Sequence, residues 1–244
     1  MMEIQISNGK GIIDIIFDGS VICLKIKRPV ALDWDDLSGS IGRYYKCTPH
    51  SRSIPQQLTN NLIDGTNDEI LNGLKDFLQL FRSGTYKISM NPNDGTFFPD
   101  QHPQGVYYND LHLYNYYPYE DDHLMFTQDR ETLDQERIHW YEQLISQGGR
   151  PKALVFKATQ FDPDGPTGVR LFTDPMFVLD GHHKLTAYDR LGIAPELIII
   201  DRKTNIKEEK ELYEGKNLLA EYEYFLSPGQ RNHIIYNAAW LGRL

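Results

Sequence analysis

Cysteine is scarce in this chain of 244 residues, and its two cysteines are too few for a disulfide framework. Cys23 stands in an apolar strand pattern, which is typical of a buried thiol. Residues 1–3 contain no basic segment, and no apolar run of the kind found in secretory signals follows them. No apolar run approaches the length that crosses a bilayer. We therefore expect a cytoplasmic protein with no membrane partner.

Basic residues are also fewer than acidic ones. The 25 lysine and arginine residues are outnumbered by 34 aspartate and glutamate residues, which gives a net charge of −9. Proteins that bind nucleic acids usually carry a basic stripe that neutralises phosphates. The local basic clusters here, at 25–28 and 202–203, are small. Stable binding of nucleic acid by this chain alone is therefore not expected.

Two familiar site motifs are missing from the sequence as well. It has no His-Glu-x-x-His and no cysteine pair at ligand spacing, which argues against a zinc site. It also has no Walker-type glycine loop, so a nucleotide would have to bind through a different phosphate-binding corner.

The most informative feature that is present is Asp-Gly-His-His-Lys at 180–184, which we call the box. A short apolar run precedes it, and a helical pattern over 182–191 follows at once. This order predicts a strand that turns through Gly181 into the N-terminus of a helix. Main-chain N–H groups at such a terminus favour anions, and glycine lets a ligand come close to the main chain. The box is therefore a candidate phosphate-binding site.

The side chains of the box carry several possible roles. Asp180 has the chemistry of a general base or a magnesium ligand, and the alternative is a plain helix N-cap. His182 and His183 are neighbours and cannot face the same way, so we expect one to bond to a phosphate while the other packs or holds Asp180. Lys184 is a candidate phosphate contact or an ordinary first-turn lysine. A cation in the first turn opposes the helix dipole slightly, which favours a ligand role.

Local patterns predict a mixed α/β or α+β fold. Residues 11–27 read as a hairpin around 18–20, and 29–61 read mostly as irregular structure. Helices are predicted over 67–82, capped by Thr66 with Glu69 in a capping box, and over 132–147 and 182–191. The remaining predicted strands cover 86–90, 106–114, 124–126, 152–161, 176–179 and 196–200.

The prolines and glycines of residues 91–104 suggest a domain boundary, and the alternative is a long surface loop within one domain. With the boundary, residues 1–99 form a small α+β N-terminal domain and 105–202 a second domain. Residues 203–244 then form a C-terminal helical extension.

Residues 105–202 resemble the ParB/sulfiredoxin superfamily. The superfamily order is a helix that ends in glycine, an apolar strand, a box of the Asp-Gly-His-His-Arg type, a helix that ends in Leu-Gly, and a final strand. The matching segments are 141–149, 153–156, 178–184, the helix ending at 191–192, and the apolar strand through 200. The Asp-Gly-His-His spelling is similar to that of the free-serine kinase branch.

The resemblance implies a nucleotide (ATP, ADP or CTP) bound with magnesium, the metal being held by Asp180. The implied reaction is phosphoryl transfer to a small-molecule acceptor, or hydrolysis of a nucleoside triphosphate, with Asp180 and His183 in catalytic roles. The implied nucleotide contacts are Gly181, His182, His183 and Lys184.

The chain departs from this family in two ways. Lys184 replaces the family's arginine, and lysine lacks the planar fork that contacts phosphate in a bidentate way. The cysteine of true sulfiredoxins is absent from the box, so their redox chemistry is not expected.

Glu120 stands about where such kinases place a glutamate after the first strand of the domain. It is a candidate base toward an acceptor hydroxyl. Because Asp121 and Asp122 follow it, the favoured alternative is a solvated acidic loop.

Two other classes of function stay open. One is a non-enzymatic interaction protein, such as an immunity or regulatory protein, with a degenerate box and a protein partner. The other is a ParB-like DNA-associated switch or nuclease, which the negative charge disfavours. An enzyme needs an open cleft at 180–184, whereas an interaction protein would have that corner filled, for example by the segment with Trp240, and an apolar patch exposed elsewhere.

Overall fold

The computed structural model describes residues 2–17, 20–25, 28–35, 43–47, 54–90, 105–108, 111–116, 124–128, 132–158 and 176–203. The strands are β1 (Met2–Lys10), β2 (Asp14–Phe17), β3 (Ser20–Lys25), β4 (Arg28–Asp35), β5 (Arg43–Cys47), β6 (Arg82–Met90), β7 (Gly105–Tyr108), β8 (Leu111–Tyr116), β9 (Leu124–Phe126), β10 (Lys152–Ala158), β11 (Met176–Asp180) and β12 (Glu196–Lys203). The helices are α1 (Gln56–Asp64), α2 (Asn67–Leu78), α3 (Gln135–Ser146) and α4 (His182–Leu191). Over these residues the fold is mixed α+β, as the sequence predicts at this coarse level.

The described strands form two six-stranded sheets. The first has the order β1-β6-β12-β10-β11-β9, and the second has the order β2-β3-β4-β5-β8-β7. In the first sheet β10 runs parallel to β12 and β11 runs parallel to β9, whereas the other neighbours are antiparallel. Both sheets combine strands from the two sides of the predicted boundary, although residues 91–104 themselves lie outside the described residues.

Three aromatic rings around Phe81 tie α2, β6 and β10 together in the core. The ring of Phe81 makes edge-to-face contacts with Phe77, Tyr86 and Phe156 at centroid distances of 5.4, 5.6 and 4.8 Å. All four rings are almost fully buried. Pairs of this geometry add to the free energy gained from burying their apolar area. Residues 77–86 are therefore packed against β10, the strand that pairs with β11. The box begins at the last residue of β11.

The predicted capping box of α2 is confirmed. The Thr66 hydroxyl accepts a hydrogen bond from the Glu69 main-chain N–H at 3.3 Å, and the Glu69 carboxylate accepts one from the Thr66 N–H at 2.8 Å. The predicted end at residue 82 is wrong, because α2 stops at Leu78. Beyond Leu78 the N–H groups of residues 79–81 bond to the carbonyls three residues before them, at 76–78, which is a tighter turn than that of an α-helix. The carbonyls of residues 79–81 accept N–H groups from residues 10–13, so long-range contacts satisfy this end of the helix.

The interpretation of residues 29–61 as irregular is also wrong, because β4, β5 and α1 lie there. β4 is held between β3 and β5, and partners from elsewhere in the chain supply the order that a weak local pattern does not indicate. The single strand predicted over 106–114 is two strands, β7 and β8, paired as an antiparallel hairpin. Asn109 and Asp110 are residue types that are common in turns, and this is the sequence signal for two strands in place of one.

Several predicted elements are confirmed. β2 and β3 pair as the hairpin, with Phe17 opposite Val21, and β9 and α4 have the predicted bounds. The helical extension predicted beyond residue 203 lies outside the described residues. Within the described part of the chain, no helix has both the length and the apolar character needed to cross a bilayer.

Replacing Thr66 by alanine tests the capping box. We expect Thr66→Ala to lower the free energy of unfolding by about 1 kcal/mol, since an N-cap side chain is lost. Urea denaturation at neutral pH measures this change. Asn72→Ala, at an exposed position of the same helix, is the matched control and should have a smaller effect.

The effect of Thr66→Ala should also depend on pH. Hydrogen bonds from the main chain and side chain of Thr66 lower the pKa of Glu69 below its usual range. A lowered carboxyl pKa stabilises the folded state above the unfolded pKa, and this part is lost as the pH falls from about 5 through the folded pKa. The difference between the wild type and Thr66→Ala should therefore shrink in acid. A difference that stays constant down to about pH 3 would contradict this assignment.

Candidate functional site

The box lies where β11 passes into α4, as predicted. Asp180 is the last residue of β11 and is paired with Leu154 of β10. Gly181 occupies the N-cap position of α4 with a φ of 107°, which is in the left-handed region that favours glycine. The alternative that Asp180 is the N-cap of α4 is therefore wrong, because the chain reaches its cap one residue later.

Gly181 is also required by close packing against β10. A Cβ atom at this position would lie 2.7 Å from the Cβ and 2.9 Å from the Cα of Ala153. These separations are shorter than a side chain tolerates. The glycine of the box thus allows the first turn of α4 to approach the start of β10.

A buried ion pair joins the first and last residues of the box. The ammonium Nζ of Lys184 lies 2.9 Å from Oδ2 of Asp180 and 2.9 Å from the main-chain carbonyl oxygen of Lys152. The side chains of Lys184 and Asp180 are 2% and 6% exposed. The Lys184 ammonium therefore donates hydrogen bonds to oxygens inside the protein. The sequence suggested that it contacts phosphate instead.

The imidazole of His182 faces the residue that follows β9. Its Nε2 lies 3.2 Å from the main-chain nitrogen of Thr127 and 3.1 Å from the Thr127 hydroxyl oxygen. That hydroxyl donates to the carbonyl of Val178 at 2.6 Å. The ring also contacts the ring of Phe126 edge to face, at 5.3 Å between centroids. His182 is thereby fixed between β9 and β11.

The imidazole of His183 faces the start of α3 instead. Its Nε2 accepts a hydrogen bond from the main-chain N–H of Asp134 at 3.2 Å. Asp134 is the N-cap of α3, and its carboxylate accepts N–H groups from Glu136 and Arg137 at 2.9 and 3.4 Å. The prediction that the two adjacent imidazoles face different ways is confirmed.

Tyr188 attaches α4 to the start of β10 one turn beyond Lys184. Its hydroxyl donates to the carbonyl of Pro151 at 3.1 Å, next to the Lys152 carbonyl that Lys184 uses. Burial, with a smaller contribution from Glu196, raises the pKa of Tyr188 above its usual range. The phenol therefore stays protonated and keeps donating across the ordinary pH range.

Three groups that bond to the box were not expected from the sequence: Thr127, Asp134 and the main-chain carbonyl of Lys152. Asp134 had a usable signal, since an aspartate just before a helical pattern is a common N-cap. Thr127 and the carbonyl of Lys152 had none, because their roles depend on strand neighbours that are distant in the chain.

The predicted base Glu120, with Asp121 and Asp122, lies outside the described residues. Among the residues that the structure does describe, no group of three or more His, Cys, Asp or Glu side chains is placed to hold a metal ion. In this part of the chain, Asp180 would thus offer magnesium a single carboxylate, one oxygen of which bonds to Lys184.

Comparisons of the chain with known protein families, with curated proteins and with solved structures found no match. The resemblance to the ParB/sulfiredoxin superfamily therefore stays a prediction, and the site is interpreted from its own geometry.

Removing one partner of the buried ion pair tests how much the pair contributes to the free energy of unfolding. We expect Lys184→Met to lower the free energy of unfolding by about 3–5 kcal/mol, because it leaves the Asp180 carboxylate buried without its cation. The double variant Asp180→Leu/Lys184→Met removes both charges and should recover much of this loss. Urea denaturation of the wild type, both single variants and the double variant gives the coupling energy. Additive effects would contradict a pair that acts as a unit.

Proposed function

We propose that the chain binds a nucleotide through its phosphates at the box and uses it for phosphoryl transfer to a small molecule or for triphosphate hydrolysis. The observation that carries the proposal is that one strand-to-helix corner bears four buried polar side chains. Asp180, His182, His183 and Lys184 are all less than a tenth exposed, and each bonds to a defined partner. Buried polar groups gathered at one corner are common at functional sites, although they also occur as structural networks.

The phosphates are assigned to the first turn of α4. Its ten residues supply a helix dipole whose positive end lies at residues 182–184. The left-handed Gly181 places no side chain beside this turn. Main-chain N–H groups of a first turn after a glycine are a recurrent phosphate cradle.

The two histidines are assigned to orient the phosphates. Main-chain N–H groups of Thr127 and Asp134 contact their Nε2 atoms, so each ring has a fixed orientation before a ligand arrives. Polar groups that are oriented in advance stabilise transition-state charge without reorganisation. We keep His183 as the catalytic histidine.

Lys184 is assigned to hold Asp180, in place of the direct phosphate contact suggested by the sequence. Magnesium in phosphoryl-transfer sites is usually bound by one or two carboxylates together with phosphate oxygens, and Asp180 fits that role as a single ligand. When bound, the ion would neutralise charge on the phosphates. Glu120 stays the predicted base toward the acceptor hydroxyl.

The order of α3, β10, β11, α4 and β12 supports the superfamily resemblance on which the reaction class depends. We extend the proposal to a ParB/sulfiredoxin-like arrangement of residues 105–202. The fold alone does not choose between a kinase and a triphosphate hydrolase.

A second candidate is a non-enzymatic interaction protein, and the burial of the box favours it. In such a protein the pair of Asp180 and Lys184 would be a purely structural connection between β11, α4 and β10. Trp140 and Leu191, which are 48% and 36% exposed, are the large apolar side chains at the described surface. Exposed tryptophan is common at the centres of protein interfaces.

Thermal unfolding with ATP, ADP, CTP and GTP, each with magnesium, separates the two candidates. A nucleotide at about a hundredfold its Kd should stabilise the wild type by roughly 2.7 kcal/mol. We expect one nucleotide to do so, and we expect Asp180→Ala and His183→Ala to lose the effect. His139→Ala is the matched control, since this histidine is 66% exposed on α3 and lies outside the box.

The control variant should keep the full nucleotide effect. If no nucleotide stabilises the wild type, the enzymatic proposal fails and the interaction candidate replaces it. Stabilisation that persists in both box variants would place the nucleotide elsewhere on the molecule.

A further inference from the structure

The sequence contains two Asn-Gly pairs, Asn8-Gly9 and Asn72-Gly73. In such a pair the main-chain nitrogen of the glycine can attack the side-chain carbonyl carbon of the asparagine, because glycine has no Cβ that obstructs the approach. Both asparagines are exposed to solvent, but one lies in β1 and the other in α2. Any large difference in their reactivity in the folded protein therefore comes from the main chain around them.

The first pair lies where the ladder between β1 and β6 is irregular. Ile6 is opposite Gly84 and Lys10 is opposite Arg82, so the three residues 7–9 face a single residue of β6. This is a bulge in β1, which is the first strand in the order of its sheet. The pairing that holds the main chain of a strand in one conformation is therefore interrupted at Asn8-Gly9.

The geometry of the bulge explains why this pair of residues stands there. Asn8 has a φ of 60°, in the left-handed region that asparagine enters more readily than most residues. A Cβ atom on Gly9 would lie 2.2 Å from the carbonyl oxygen of Phe81, so position 9 requires glycine. The fold thus retains a chemically labile pair at an exposed site.

One hydrogen bond holds the nitrogen that would react. The main-chain N–H of Gly9 donates to the hydroxyl oxygen of Ser83 at 2.9 Å. This nitrogen attacks only after it loses its proton and turns towards Cγ of Asn8, so the bond to Ser83 must first be given up. The Ser83 hydroxyl therefore raises the barrier to the reaction by about the worth of one hydrogen bond, roughly 1 kcal/mol.

The second pair is held much more firmly. Asn72 and Gly73 lie in the middle of α2, whose buried face includes Leu74 and Phe77. The main chain at Asn72 cannot rotate towards a cyclic product without breaking helical hydrogen bonds on both sides. Asn72-Gly73 is thus an internal control that has the same chemistry in a rigid setting.

We propose that Asn8 is a site of spontaneous deamidation in the folded protein and that the Ser83 hydroxyl slows the reaction. The Gly9 nitrogen gives its proton to hydroxide and forms a bond to Cγ of Asn8. The bond from Cγ to the side-chain nitrogen breaks, and that nitrogen takes a proton from water and leaves as ammonia. Water then opens the cyclic imide at either carbonyl, which gives aspartate or isoaspartate.

The modification needs no ligand and is independent of the proposed function. Either product adds a negative charge at the bulge, and isoaspartate also lengthens the main chain by a methylene group. Because Gly9 lies close against Phe81, the longer main chain does not fit the pairing of β1 with β6.

The test incubates the full folded chain at mildly alkaline pH and physiological temperature. Samples are digested with a protease that works in acid, where the imide forms slowly, and the peptides are separated and weighed. We expect conversion at Asn8 to both aspartate isomers, whereas Asn72 stays an amide. In urea both pairs should react, which shows that the assay detects either site.

Two variants test the role of Ser83. We expect Ser83→Ala to raise the rate at Asn8 about fivefold, as the loss of one hydrogen bond implies, and Ser83→Thr to keep the wild-type rate because it retains a hydroxyl. Asn72 should stay unreacted in both variants, since a variant that had merely unfolded would also react there.

Conversion at Asn72 as fast as at Asn8 in the folded wild type would overturn the proposal. An Asn8 that stays intact in the wild type and in Ser83→Ala, although it reacts in urea, would also overturn it. The role of Ser83 fails if Ser83→Ala leaves the rate unchanged or if Ser83→Thr reacts as fast as Ser83→Ala.

Discussion

The buried ion pair between Asp180 and Lys184 is the interaction on which the arrangement of the box depends. Two charges removed from water are costly unless each finds close partners. Here the ammonium group has two oxygen partners at 2.9 Å, one on the side chain of Asp180 and one on the main chain of Lys152. The pair therefore joins the end of β11, the first turn of α4 and the start of β10, and Tyr188 repeats the connection one turn later.

With the junction of β11 and α4 fixed, the directions of the two imidazole rings are fixed as well. His182 lies towards β9 and His183 towards α3, and each is held by a main-chain N–H. Gly181 lets α4 begin close against Ala153, so the turn that carries the N–H groups is held as firmly as the side chains. The same features describe a preorganised anion site and a rigid structural corner, and the difference between them is whether a phosphate is bound.

The sequence predicts both the fold and the box well where the signal is local. The cap at Thr66, the bounds of α4 and the turn at Gly181 each follow from residues within one or two helical turns. It predicts poorly where partners are distant. Lys184 and Lys152 are 32 positions apart, and His182 and Thr127 are 55 apart, so no local pattern brings them together. The strands among residues 29–61 were overlooked for the same reason, because their order comes from pairing with other strands.

The central claim is that the first turn of α4 is a phosphate site. The most direct measurement is a titration of the ¹⁵N-labelled chain with the nucleotide and magnesium, followed through the main-chain amide signals. The account predicts that the largest shifts fall on residues 181–184 and that inorganic pyrophosphate moves the same signals. Shifts confined to other parts of the chain, or an unchanged spectrum at millimolar nucleotide, would contradict it.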